Sequence, residues 1–185
     1  ALMARAMACA MLGRPDAALD AIAALERDVE RLGAQRWQPR SHNLRGWVLR
    51  NLGATDAGDE ETRAAIDCAR AADLPEPLTN GLLDMASGRL LANDLDAAAE
   101  LLEEAGAVGS VEHVFRWRTD LRRRLLQGRL ALDAGAAEEA AQLAVQVVED
   151  SRRVGAKRYE VQADLVLTVA QHRQGIAVDA DHVDR

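Results

Sequence analysis

One stretch of the chain concentrates charge that could hold a ligand: Arg116, Arg118, Arg122, Arg123, Arg124 and Arg129 fall within fourteen residues. On a helix, Arg118, Arg122 and Arg129, at spacings of four and seven, share one face. Guanidinium forks bind carboxylates and similar anions bidentately, so this face reads as an anion- or carboxylate-binding patch. Arg40 and Arg50 stand in similar positions further up the chain. Between the two groups lie Asn80, Asp84 and Ser87, and Trp47 offers an aromatic surface beside Arg50. The candidate binding residues are therefore Arg40, Trp47, Arg50, Asp84, Arg118, Arg122 and Arg129. The competing reading is a solvated face whose arginines pair with Glu and Asp of neighbouring segments.

Other chemistry finds less support. None of His42, His113, His172 and His182 has a second histidine or a cysteine at ligand spacing on one helix, so no structural zinc is expected; His172 and His182 could meet across a last hairpin. The pairs Glu60-Glu61, Glu103-Glu104 and Glu138-Glu139 read as solvated faces and favourable helix N-terminal charge. There is no Gly-x-x-x-x-Gly-Lys-Ser/Thr phosphate loop, and the single lysine, Lys157, lies far from any glycine cluster of that form. No cofactor or metal is expected, and an enzyme with a scattered site is the weaker alternative. The net charge of −7 speaks against a nucleic-acid surface, which needs clustered cations. No segment approaches the ~18 apolar residues of a membrane span, and no basic-then-apolar leader is visible, which points to a cytoplasmic protein. Cys9 and Cys68 lie in apolar helical patterns and are expected as buried thiols. The chain opens on Ala1, without methionine and inside an expected helix, which reads as a fragment of a longer protein.

What would position the arginines is a repeat. Glycine or asparagine recurs at Gly13, Gly53, Asn93, Gly135 and Gly175, in steps of 40, 40, 42 and 40. Seven residues before each stands a small residue (Ala6, Gly46, Ala86, Gly128, Thr168), and five after each stands alanine or glycine (Ala18, Gly58, Ala98, Ala140, Ala180). A fixed period of this length predicts a solenoid of helical hairpins, because one hairpin cannot bury its apolar face alone and stacked hairpins can. The fold class expected is all-α: a right-handed superhelix of antiparallel hairpins over about 1–33, 38–72, 78–106, 114–155 and an incomplete 157–185. Hydrophobic residues make up 49% of the chain but aromatics 3%, so small side chains must dominate the contacts. The pairs Gly33–Trp37 and Gly155–Tyr159 bound closely matching segments 122 residues apart, an independent echo of the period. Gly88-Arg89-Leu90 also matches Gly128-Arg129-Leu130 at a spacing of 40, which leaves open where the two extra residues fall. Either Asn93 or Asp94 is expected to cap the helix that follows, and Leu74-Pro75-Glu76-Pro77 and 106–111 are expected to separate hairpins. The five aromatics, Trp37, Trp47, Phe115, Trp117 and Tyr159, are expected to wedge between hairpins or line an inner groove. Gly46 and Gly128 are both expected at helix crossings too close for a side chain.

The slots Gly46, Gly53 and Gly58, or Gly128, Gly135 and Ala140, resemble the tetratricopeptide repeat, with its small residue, turn glycine and early alanine. The period of 40 to 42 exceeds that family's 34. The Leu-Gly-Ala-x-Arg run at 32–36 is similar to a longer-repeat subclass, the sensor domains of large ATP-dependent transcriptional regulators of the LuxR class. The resemblance implies a non-catalytic interaction or sensor segment, or else a free-standing adaptor. In such repeats the slots of Arg122 and Arg129 point into a concave groove that holds a protein, peptide or small effector, here an acidic one.

Overall fold

The computed structural model describes residues 1–109 and 116–176. Among them are nine α-helices, one short 3₁₀ turn and no strand. The helices are α1 (Leu2–Met11), α2 (Pro15–Arg31), α3 (Gln38–Asn51), α4 (Thr55–Ala71) and α5 (Pro75–Leu91), followed by α6 (Leu95–Gly109), α7 (Arg116–Asp133), α8 (Ala137–Val154) and α9 (Lys157–Arg173). The 3₁₀ turn, Gln35–Trp37, leads into α3. The fold is an all-α superhelical repeat of antiparallel hairpins that pack in sequence order. Phe115, His113, Ala180 and His182 lie outside the described residues, as do the end of the 106–111 segment and most of 176–185.

One backbone device ends the helices. The five predicted turn residues all have positive φ, from 58° at Asn93 to 82° at Gly53 and Gly135. Each closes a Schellman motif: at Gly53, for instance, the Gly53 amide donates to Arg50 and the Ala54 amide to Leu49. The same pair of bonds recurs between hairpins, at Gly33, Asp73 and Gly155. Glycine costs nothing in this left-handed conformation, and Asp and Asn are the side chains that tolerate it best. Asn93 thus shapes the turn, and Asp94 caps α6, its Oδ1 accepting from the Ala97 amide at 3.4 Å.

These turns are short enough that two expected separators are helical. Pro75 is the first residue of α5 and Pro77 the third, positions where the missing N–H has no helical partner in any case. Gly106 lies inside α6, which runs on to Gly109. The register is also settled. Ala86 is fully buried and Gly88 only half-buried, so Ala86 holds the slot seven residues before the turn, as Ala6, Gly46 and Gly128 do. The two extra residues therefore lie between the Asn93 and Gly135 turns rather than within α5. It follows that Trp117, 80 residues after Trp37, is two positions short of the equivalent slot, which Thr119 occupies.

Packing runs through the small slots. Ala6, Ala18, Ala86, Ala98 and Ala140 are wholly buried, and Thr168 is half-buried. The five alanines sit within three apolar clusters strung along the chain, around Ile22 and Val48, around Leu82 and Leu102, and around Leu121 and Val147. Leu32, just past the end of α2, and Val154, the last residue of α8, are 66% and 47% exposed, so the apolar stripes of these helices fray at their C-terminal ends. Cys9 and Cys68 are free and half-buried rather than buried. Gly46 meets the expectation of a close crossing: a Cβ there would lie 2.6 Å from Thr62 Oγ1 and 2.7 Å from the Gly58 carbonyl. Gly128 does not, since its nearest neighbour would be Val166 Cγ1 at 3.4 Å, an ordinary contact.

The last hairpins are also tied by charge. Asp150 accepts from Arg124 at 2.6 Å and from Arg153. Glu160 takes Arg152 at 3.0 Å and Lys157 at 3.1 Å. The hydrogen bond from Arg124 holds the Asp150 carboxyl below its ordinary range, and the bonds from Arg152 and Lys157 do the same for Glu160. A carboxyl with a depressed folded pKa stabilises the fold above its unfolded value and loses that contribution as pH falls through the folded one. Urea midpoints are therefore expected to fall as pH drops below about 4, the ordinary carboxylate range. The decline should be shallower in an Asp150→Asn/Glu160→Gln variant, and an unchanged slope would show that these pairs contribute nothing.

Candidate functional site

The first helices of successive hairpins touch one another, α1 to α3, α3 to α5, α5 to α7 and α7 to α9, whereas the second helices meet chiefly their own partners and the next first helix. The row in closer mutual contact lies on the inside of the curve, so the first helices form the inner surface. They run parallel, because bonded pairs keep a near-constant offset: Asn43 with Pro77 is 34 apart, Arg118 with Asn80 and Arg122 with Asp84 are 38 apart.

On this surface α5 carries two carboxylates, each held between arginines of α3 and α7. Glu76 takes Arg40 at 2.5 Å on one side and Arg118 at 3.7 Å on the other. Asp84 takes Arg122 at 2.5 Å and lies 4.0 Å from Arg50. Asp84 is 93% buried, its carboxylate lodged where Leu44, Leu126 and Val166 stand in the equivalent slots of other hairpins. Burial works against the Arg122 charge, and the Asp84 carboxylate outweighs it, holding the guanidinium pKa above its ordinary value. Arg50 reaches across its own hairpin, its Nη1 donating to Thr62 Oγ1 at 2.8 Å, the Gly58 carbonyl at 3.1 Å and Asp59 Oδ1 at 3.2 Å.

All seven sequence-predicted residues lie on the first helices, and five of them are joined by ion pairs in two chains, Arg40–Glu76–Arg118 and Arg50–Asp84–Arg122. Arg129 is half-buried on α7 and makes no hydrogen bond or ion pair among the described residues. Trp47 stands apart. It is half-buried against the cluster of Ala6, Ala18, Ile22 and Leu44, wedging the first hairpin onto the second. Tyr159 packs partly buried against the last cluster in the same way. Two indoles near the arginines are half-exposed: Trp37, with Arg40 at 5.1 Å and Arg36 at 5.9 Å from its ring centre, and Trp117, between Arg116 and Arg118 on α7.

Sequence reasoning passed over Glu76, treated as part of a linker, and Asp59. The slot comparison could have found Asp84's role, since a carboxylate among leucines needs a cation nearby. It also missed a polar cleft of about 470 Å³ between α2, α3 and α4, where Glu61 bonds His42 at 2.6 Å and Arg45 pairs with Glu26. Glu61 is thus engaged across a hairpin, and Glu104 pairs with Arg70 at 2.5 Å, so these carboxylates do more than solvate a face. No helix among the described residues is long and apolar enough to cross a membrane. Comparison with protein-family models, curated proteins and solved structures finds no match to this chain.

Proposed function

We propose that this chain is a non-catalytic interaction scaffold, a tetratricopeptide-like segment of a cytoplasmic bacterial regulator, that holds a protein segment, peptide or small effector along its first-helix surface. The observation that carries the reading is the inner row itself, in which three parallel helices present guanidiniums already fixed by carboxylates. Groups held in place before binding lose little freedom on binding, so a few polar contacts yield usable affinity. The resemblance of the slots around Gly46, Gly53 and Gly58 to tetratricopeptide repeats supports the same use of the surface.

Arg129 is the residue on which to test it, because its charge is uncommitted while that of Arg122 supports the fold. An array of peptides tiling candidate partner proteins is expected to give binders in the micromolar range, which corresponds to roughly 8 kcal/mol. Arg129→Glu is expected to weaken the best of them by about 1.5–3 kcal/mol if a carboxylate reaches it, and added salt should weaken them further. Binders that ignore both Arg129→Glu and salt would place the site away from the inner row.

A further inference from the structure

We infer that the joint between the first and second hairpins is a salt-sensitive hinge. Charge holds residues 1–33 on α3, and screening that charge releases them while the hairpins beyond stay packed.

The slots of this joint are polar where those of the next joint are apolar. Between the second and third hairpins, Ile66 of α4, Leu82 and Met85 of α5 and Leu101 of α6 pack in one cluster. Ile66, Leu82 and Met85 are all buried there. Forty residues earlier the same four slots hold Glu26, His42, Arg45 and Glu61. These side chains do not close the space, and the cleft of about 470 Å³ between α2, α3 and α4 lies among them. What the first joint buries instead is small. From the second hairpin its apolar cluster takes only Leu44 and Val48 as buried residues, with Trp47 packed partly against it. Among the described residues it is also the least extensive of the four joints.

One ion pair crosses this joint among the described residues, Glu26 with Arg45. Arg45 also lies 3.8 Å from Glu61 Oε1, and Glu61 in turn bonds His42 at 2.6 Å. Parting from Glu26 therefore leaves Arg45 beside a carboxylate of its own hairpin. The cost of stranding a buried charge, which locks a pair such as Asp84 with Arg122, does not arise. Glu26 and Arg45 keep 33% and 28% of their side chains open, so salt reaches them. The arginines of α7 differ, because their bonds stay on one side of a joint. Arg124 pairs with Asp150 of its own hairpin at 2.6 Å, and Arg123 with Gln127 of its own helix at 3.1 Å. Residues 32–34, with Gly33 at a φ of 61°, link α2 to the 3₁₀ turn and can absorb a rotation. Release takes α1 out of the inner row and uncovers Leu44, Trp47 and Val48 of α3. The joint thus sets how much of the inner surface is on offer.

The test is native-state hydrogen exchange read by mass spectrometry, with peptides of α2 compared with peptides of α5 and α6. Raising sodium chloride from about 0.01 M to about 1 M shortens the screening length from about 30 Å to about 3 Å. Over that range α2 is expected to exchange about fivefold faster, as loss of one partly exposed pair allows, and α5 and α6 to change less than about twofold. Glu26→Gln is expected to give α2 its high-salt rate at low salt and to remove the salt response. Glu26→Ile/His42→Leu/Arg45→Met/Glu61→Leu copies the next joint, and there α2 is expected to exchange about tenfold more slowly than in wild type. If that variant does not fold, Glu26→Gln alone decides. Exchange in α2 as slow as in α5 and α6 overturns the hinge, as does a salt response shared equally by all three helices or one that survives Glu26→Gln. A folded fourfold variant with unchanged exchange in α2 overturns it as well. Binding along the inner row is tested separately, at Arg129.

Discussion

Asp84→Ala is expected to cost about 3 kcal/mol and to lower the urea midpoint of the whole solenoid. Removing one member of a buried pair leaves the other charge uncompensated, at a typical cost of ~3–5 kcal/mol. The lower end applies because Arg122 keeps 25% of its side chain open to water and can turn outward, whereas Arg50, at 12%, cannot. The two residues stand where other hairpins hold apolar ones: Leu44 and Leu126 in the slot of Asp84, Leu90 and Leu132 in that of Arg50, all buried. Asp84→Leu/Arg50→Leu would therefore restore the pattern of the neighbouring repeats. Thr62 keeps a bond to the Gly58 carbonyl at 2.9 Å, and Asp59 keeps Arg89 at 3.7 Å. Replacing a buried pair by packed apolar groups is often neutral or better, so the double variant is expected within about 1 kcal/mol of wild type. The double variant is therefore expected to be roughly 2 kcal/mol more stable than Asp84→Ala. Equal losses in the single and double variants would show that the pair does not act as a unit.

How much of this could be read from residues alone depends on the range of the interaction. Turns were legible because a positive φ selects glycine, asparagine or aspartate within a few residues, and Gly13, Gly53, Asn93, Gly135 and Gly175 obey that local rule. The small slots were legible for the same reason, as each lies a fixed seven residues from its turn. Bonds between hairpins were not. The repeat is 40 to 42 residues, but contacting residues on adjacent first helices are 34 to 38 apart, because each helix is displaced along its neighbour as the solenoid winds. No periodicity in the sequence contains that displacement. Arginines that looked like a free patch are therefore largely committed to Glu76 and Asp84, and Arg129 has to be told apart from Arg122 by geometry. Pro75 and Pro77 misled in another way. Proline halts a helix from within but begins one readily, and a sequence shows both cases alike.

The glycine slots separate pattern from contact in the same manner, and alanine substitutions are expected to expose the difference. Gly46→Ala should cost about 1–3 kcal/mol, the usual range for overpacking. Its Cβ would approach the Gly58 carbonyl to 2.7 Å, and backbone cannot step aside as a side chain can. The crowding is reciprocal, since a Cβ on Gly58 would lie 2.9 Å from the Gly46 carbonyl. Only this hairpin carries glycine in both slots, so α3 and α4 approach more closely than the alanine-bearing pairs allow. At Gly128 the nearest atom to a new Cβ is the Val166 methyl at 3.4 Å, and the backbone of Ala140 is 3.7 Å away. Alanine fits there and removes the helix penalty of glycine, so Gly128→Ala is expected to gain about 0.5–1 kcal/mol. For a chain of this size each kcal/mol moves the thermal midpoint by roughly 2–4 °C. The two variants should therefore shift in opposite directions from wild type in one set of melts. A fall in both would mean that α7 and α8 are as tightly joined as α3 and α4, and a rise in both would mean that the α3–α4 crossing yields to a methyl group.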